Sequence, residues 1–151
     1  MKTIFDQQTI DEIITRIHSL SENSTAQWGK MNVHQMMKHC ILVEEMFLGK
    51  QKYERALIGR LFGKIGLKNF LKDEKPLSRN SPTGAGFKIS ETGGDLGSEK
   101  TKWISLINEY VEYVQFPDNQ FVHWFFGNMT RGQVGHFNYK HIDHHLRQFN
   151  A

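Results

Sequence analysis

Apolar residues at positions 10, 13, 14, 17 and 20 recur at the spacing of an amphipathic helix, and the polar run from Ser21 to Gln27 ends it. A second stripe, Val33, Met36, Met37, Cys40, Val43 and Phe47, follows Asn32 and Gln35, which have the spacing of a reciprocal capping pair, and stops at Gly49. A third amphipathic piece, from about Tyr53 to Phe62, carries Leu57, Ile58, Leu61 and Phe62. Ser98 reads as the cap of a helix with apolar positions 103, 104, 106, 107, 110, 111 and 114, ended before Pro117, and Glu99 suits its positive end. Thr130 with Gln133 repeats the capping pattern before a last helix that carries Val134, Phe137, Ile142, Leu146 and Phe149. Gly132 and Gly135 would cost that helix about 1 kcal/mol each relative to alanine.

Between these stripes the pattern is irregular. From Gly63 to Gly97 glycine, proline, serine and asparagine punctuate the chain, and a loop of that length is unusual unless it covers something. The segment reads as a long crossover with a short helix near Leu67 to Leu71. Phe121-Val122-His123-Trp124-Phe125-Phe126-Gly127 is too aromatic for a free linker and is expected to pack across the end of the bundle. Four long helical segments with almost no strand pattern predict an all-α four-helix bundle, and the long crossover allows a helix order other than simple up and down.

Composition narrows the setting. A chain of 151 residues fits one domain over 1–151 and needs no staple to fold. Its single cysteine, Cys40, excludes a disulfide framework, the amino end lacks the pattern of a signal peptide, and no apolar run reaches the roughly 18 residues of a membrane span. A cytoplasmic protein with no membrane partner is the expectation. The net charge of +3, from 19 basic and 16 acidic residues, leaves little surplus for a phosphate backbone, so no nucleic-acid partner is expected either. Basic residues do gather between Lys50 and Lys75, as a solvated helix flank or as an anion-facing surface.

The candidate chemistry lies in the histidines. The run His141-Ile142-Asp143-His144-His145 places imidazoles at i, i+3 and i+4, and on a helix His141 and His145 share a face one turn apart. Neutral imidazole suits zinc or nickel, and a catalytic site needs about three protein ligands with one position left for water or substrate. His39, in the middle of the second apolar stripe, is the candidate third ligand, because an unpaired imidazole there would be costly. The bland reading of His39 is a hydrogen-bonded core residue, and an HxxxH pair alone is a weak signal. His34 reads as partly exposed and His18 as a surface residue. His144 belongs to supporting structure or a dimer contact, and Asp143 either orients an imidazole or pairs with Arg147 at i+4. Gln148 either hydrogen-bonds near the site or packs in the bundle, and His123 and Trp124 are candidates for its rim. No general acid or base stands out; Glu44 and Glu45 follow His39 by little more than a turn, but nothing in the spacing places them beside an ion.

Trp28, the stretch from Asn32 to His39, and the terminal His141-to-Phe149 run resemble the DinB-like superfamily of bacterial metal-binding four-helix bundles. Gly29-Lys30-Met31 followed by His39, and Phe126-Gly127 through Lys140 to Phe149, look like its DUF1569 branch. The resemblance implies an up-down-down-up helix order, frequent homodimers, and a metal triad of one histidine from the second helix and an HxxxH pair from the last long one, here His39, His141 and His145. It also implies activities seen in some relatives, transferases or isomerases that use a low-molecular-weight thiol such as bacillithiol, mycothiol or glutathione. Two readings follow: a small metalloenzyme acting on a small molecule by thiol transfer or hydrolysis, or a non-catalytic metal-binding or dimeric stress-associated protein.

Overall fold

The computed structural model describes residues 1–112 and 121–151. In chain order these form α1 (Gln7–Ser19), α2 (Val33–Phe47), α3 (Leu57–Phe70), α4 (Leu96–Glu112), the strands β1 (Phe121–His123) and β2 (Gly127–Met129), and α5 (Arg131–Gln148). The fold is all-α apart from that small hairpin. Helices α1 and α2 each pack against both α4 and α5, the arrangement of a four-helix bundle, while α3 stands outside it against β2.

Local chemistry sets the helix starts. Asp6 accepts the Thr9 amide ahead of α1, and both capping pairs close reciprocally: Asn32 with Gln35 before α2, Thr130 with Gln133 before α5. Helix α4 begins earlier than the expected Ser98 cap, because Asp95 accepts the Gly97 and Ser98 amides and its carboxylate also suits the positive helix end. Val114 and Pro117, the expected end of that helix, lie outside the described residues. The stripes turn inward as the spacing requires, with Ile10, Ile13, Ile17, Met36, Met37, Cys40, Trp103, Ile107, Ile142 and Leu146 all inaccessible to solvent. Each such aliphatic side chain stabilises the fold by about 1.5–3 kcal/mol relative to exposure.

Two expectations are corrected. The third amphipathic piece does not end at Phe62 with a separate short helix beyond; α3 runs unbroken through Gly63 and Gly66 to Phe70. Those glycines act as a packing face, since a Cβ at Gly63 would lie 2.2 Å from the Phe125 carbonyl oxygen. Second, the aromatic connector contains a hairpin, with Phe121 opposite Met129 and His123 opposite Gly127. Gly127 takes the left-handed φ of +80° that the chain needs as it leaves the Trp124-Phe125-Phe126 turn. Phe126 stacks on His123 and meets Phe137 of α5 edge-on, with ring centroids 4.6 and 5.1 Å apart, so the connector packs on the bundle as expected.

The crossover after α3 is irregular apart from a 3-10 turn at Ala85–Phe87. It is fastened from both sides. Asn32 and Gln35 use their spare amide protons to donate to the Thr92 and Ile89 carbonyls (2.7 and 3.1 Å), and Lys140 donates to the carbonyls of Phe70 and Asp73 (2.7 and 3.0 Å). Among the described residues no helix is long and apolar enough to cross a membrane.

Candidate metal centre

The crossover covers a cavity of about 560 Å³ between α2, α5 and the aromatic turn. His39 enters it from α2, and His141 and His145 enter from α5. One ring nitrogen from each lies within 4.8 Å of the other two, and among the described residues they form the one histidine, cysteine or carboxylate group of this kind. The His39 and His141 Nε2 atoms are 3.1 Å apart. Two nitrogens on one tetrahedral zinc, each at 2.0–2.1 Å, are separated by about 3.4 Å, so the spacing fits a shared ion.

The proton positions follow from the partners. A carbonyl can only accept, so His39 Nδ1 carries a proton and donates it to Phe87 (2.9 Å), leaving a lone pair on Nε2. Gln148 donates through its amide nitrogen to the Trp28 carbonyl (2.8 Å), so its oxygen accepts from His145 Nδ1 (2.9 Å), and His145 Nε2 is likewise left with a lone pair. With no ion, His141 must donate its Nε2 proton to His39, which leaves its Nδ1, buried and without a hydrogen-bond partner, as an unsatisfied acceptor. An ion on His141 Nε2 would move the proton to Nδ1, which is unpartnered either way, so what fits a divalent cation is the convergence of the three lone pairs. Phe87 and Trp28 hold the two outer imidazoles in the tautomer that metal binding requires, as backbone carbonyls commonly do around metal-ligating histidines.

Electrostatics favour the neutral imidazoles that bind metals. Burial pushes the His39, His141 and His145 pKa values down, and their mutual repulsion as cations lowers those of His141 and His145 further. His39 and His145 are buried, whereas His141 is partly open to solvent and to the cavity.

The other candidates separate in the structure. Gln148 hydrogen-bonds His145, as one of its two readings expects. Asp143 takes the Arg147 alternative: its oxygens accept from Arg147 Nε (2.7 Å) and Arg16 Nη1 (2.8 Å), so it bridges α5 to α1 and orients no imidazole. His144 packs edge-on against Trp28, 5.5 Å between ring centroids, and lines the cavity wall. His123 and Trp124 also line the cavity; His123 Nδ1 accepts the Phe125 and Phe126 amides, and burial, then Arg55, pushes its pKa down to about 3. His18 is exposed, as expected. His34 is not: it is buried between Glu99 and Glu22, at 2.9 and 2.8 Å, and its hydrogen bond to Glu99 raises its pKa. Glu45 pairs with Lys102 at the surface, and Glu44 is fully buried away from the triad, accepting from Tyr110 (2.7 Å) and Asn138 (2.8 Å). Burial raises the Glu44 pKa to about 7.

The Phe87 and Trp28 carbonyls escaped the sequence reading because a main-chain acceptor leaves no residue signature. A family model described as "Protein of unknown function (DUF1569)" matches residues 2–151. No curated protein and no solved structure matches the chain.

Proposed function

The chain belongs to the DUF1569 family, consistent with the DinB-like superfamily, and we propose that it binds one divalent metal ion, zinc or nickel, through His39, His141 and His145 and uses it on a small molecule held in the adjoining cavity. The observation that carries this reading is the convergence of three imidazoles, two of them fixed with their lone pairs free by the Phe87 carbonyl and Gln148. A metal ion in that position would lower the pKa of a thiol or water bound to it. The chain's own residues do the rest: Phe87 and Gln148 orient ligands, burial keeps them neutral, and His123, Trp124 and Phe126 wall off the cavity.

Within this reading the ion would hold either a low-molecular-weight thiol for transfer or water for hydrolysis; among the described residues the cavity lining offers no carboxylate as general base, which leaves His144 for that role. A homodimer and a cytoplasmic location complete the proposal. Elemental analysis of protein purified without added metal tests it: stoichiometric metal in the wild type, lost in His39→Ala and in His145→Ala, is expected. Equal metal content in all three proteins would overturn the site.

A further inference from the structure

Helix α3, LIGRLFGKIGLKNF, contains three basic residues and no acidic one. At 100° per residue, Leu57, Leu61, Ile65, Ile58 and Phe62 span an arc of about 140°. All five are between 56% and 76% exposed. Gly59, Gly63 and Gly66 occupy the other side, against the Phe125-Phe126 turn, so closely that a Cβ at Gly59 or Gly63 would lie 2.4 or 2.2 Å from the Phe125 carbonyl oxygen. No larger residue fits at Gly59 or Gly63 without moving backbone. The helix is therefore seated on its glycine face, and its apolar face is held outward.

Charge decides what covers that face. Arg60 and Lys64 border the arc on one side, Lys68 lies just inside that edge, Lys72 and Lys75 follow, and Lys52, Glu54 and Arg55 precede it, while Lys50 pairs with Glu109 (3.0 Å). The acids just beyond the helix are engaged elsewhere, Asp73 beside Lys140 (4.0 Å) and Glu74 on the N-terminal ammonium (2.6 Å). Face-to-face docking of a second copy would bring two basic borders together with no acid on the helix to pair them. A nucleic acid would meet the bases but leave five large apolar side chains in water. A membrane surface rich in anionic lipid accommodates both, with apolar side chains at the level of the acyl boundary and basic ones among the phosphates.

We propose that α3 is an interfacial anchor that lays this protein on an anionic lipid bilayer. The expectation of no membrane partner came from the lack of a spanning segment, which does not bear on a helix lying in the interface. Phe70, at the end of α3, and Phe125 and Phe126, beneath it, also line the histidine cavity, so the anchor sits beside the candidate metal centre. The proposal does not depend on metal being bound.

Co-sedimentation of the full chain with vesicles of phosphatidylcholine alone, or of phosphatidylcholine mixed with phosphatidylglycerol, tests it. Binding to the anionic vesicles is expected, weakened by salt, with about a fivefold loss for each basic residue neutralised in Lys64→Gln and Lys68→Gln. Leu61→Ser with Ile65→Ser, both at exposed positions, is expected to abolish binding while leaving the circular dichroism spectrum unchanged. No binding to anionic vesicles would overturn the proposal, as would binding that survives the double serine substitution. So would a wild-type dimer that those substitutions dissociate without any lipid affinity, or tighter binding to duplex DNA or RNA than to the vesicles.

Discussion

Gln148 is the most informative single position for the metal proposal, because it touches a ligand without being one. Its side chain is 3% exposed and accepts from His145 Nδ1 while donating to the Trp28 carbonyl. Replacing it with leucine leaves the buried His145 Nδ1–H without a partner, at about 1–3 kcal/mol, and takes a hydrogen bond from the part-buried Trp28 carbonyl, about 0.5–1.5 kcal/mol, so the metal-free protein should lose roughly 1.5–4.5 kcal/mol of stability. The His145 ring also becomes free to rotate or to move its proton to Nε2, and loss of such an orienting partner typically weakens metal binding 10–100-fold, about 1.4–2.7 kcal/mol. Gln148→Glu separates the two effects. The carboxylate keeps the acceptor for His145 Nδ1 but forfeits the donor to Trp28, so zinc affinity should hold while stability falls. Zinc affinity is read by competition with a chromophoric chelator, and stability by thermal unfolding of the metal-free protein. If Gln148→Leu remains folded and its zinc affinity stays within about twofold of wild type, His145 is not a ligand oriented by Gln148, and the reasoning fails.

Further outcomes are expected elsewhere. Glu44 has a folded pKa of about 7, above its unfolded value of 4.5, so between those limits the native state binds more protons and stability falls as pH rises. At 1.36 kcal/mol per unit this amounts to about 3 kcal/mol, and Glu44→Gln should remove that slope; parallel stability curves in urea would refute it. The imidazoles around the cavity have the opposite sign. His39, His141, His145 and His123 are pushed below 6.5, so the unfolded chain takes up more protons as pH falls, and the metal-free protein should lose stability below about pH 6.5, for His123 down to about 3. Two glycines of α5 should respond oppositely to alanine. Gly132 has open space around a Cβ, so Gly132→Ala should stabilise by about 1 kcal/mol, whereas Gly135→Ala would press on Thr3 Oγ1 at 2.2 Å and on the Phe5 ring and should destabilise by about 1–3 kcal/mol by chemical denaturation.

What the sequence made legible was local. The capping pairs Asn32 with Gln35 and Thr130 with Gln133 close as their spacing predicts, because capping acts across only three residues. His39, His141 and His145 were singled out by helical period and by the cost of an unpaired imidazole, and the fold brings the three together. The apolar stripe of α3 was legible as a helix, but periodicity does not say whether a partner exists for the stripe; the close approach of Gly59 and Gly63 to Phe125 decided which face turned inward. The hairpin was missed because β1 and β2 are three residues each, too short to show alternation. The burial of Glu44 was not legible from its place after His39, because the groups that accommodate it, Tyr110 and Asn138, arrive from α4 and α5.

The outward-facing nitrogens of the outer imidazoles fasten two distant pieces of chain, Phe87 in the crossover and, through Gln148, Trp28 ahead of α2. If the triad holds an ion, its occupancy and the closure of those two segments are thermodynamically linked. An ion that stiffens the ligands must tighten the crossover by the same free energy that a closed crossover lends to holding the ion, so the chain's resistance to proteolysis near Phe87 becomes a gauge of its metal content.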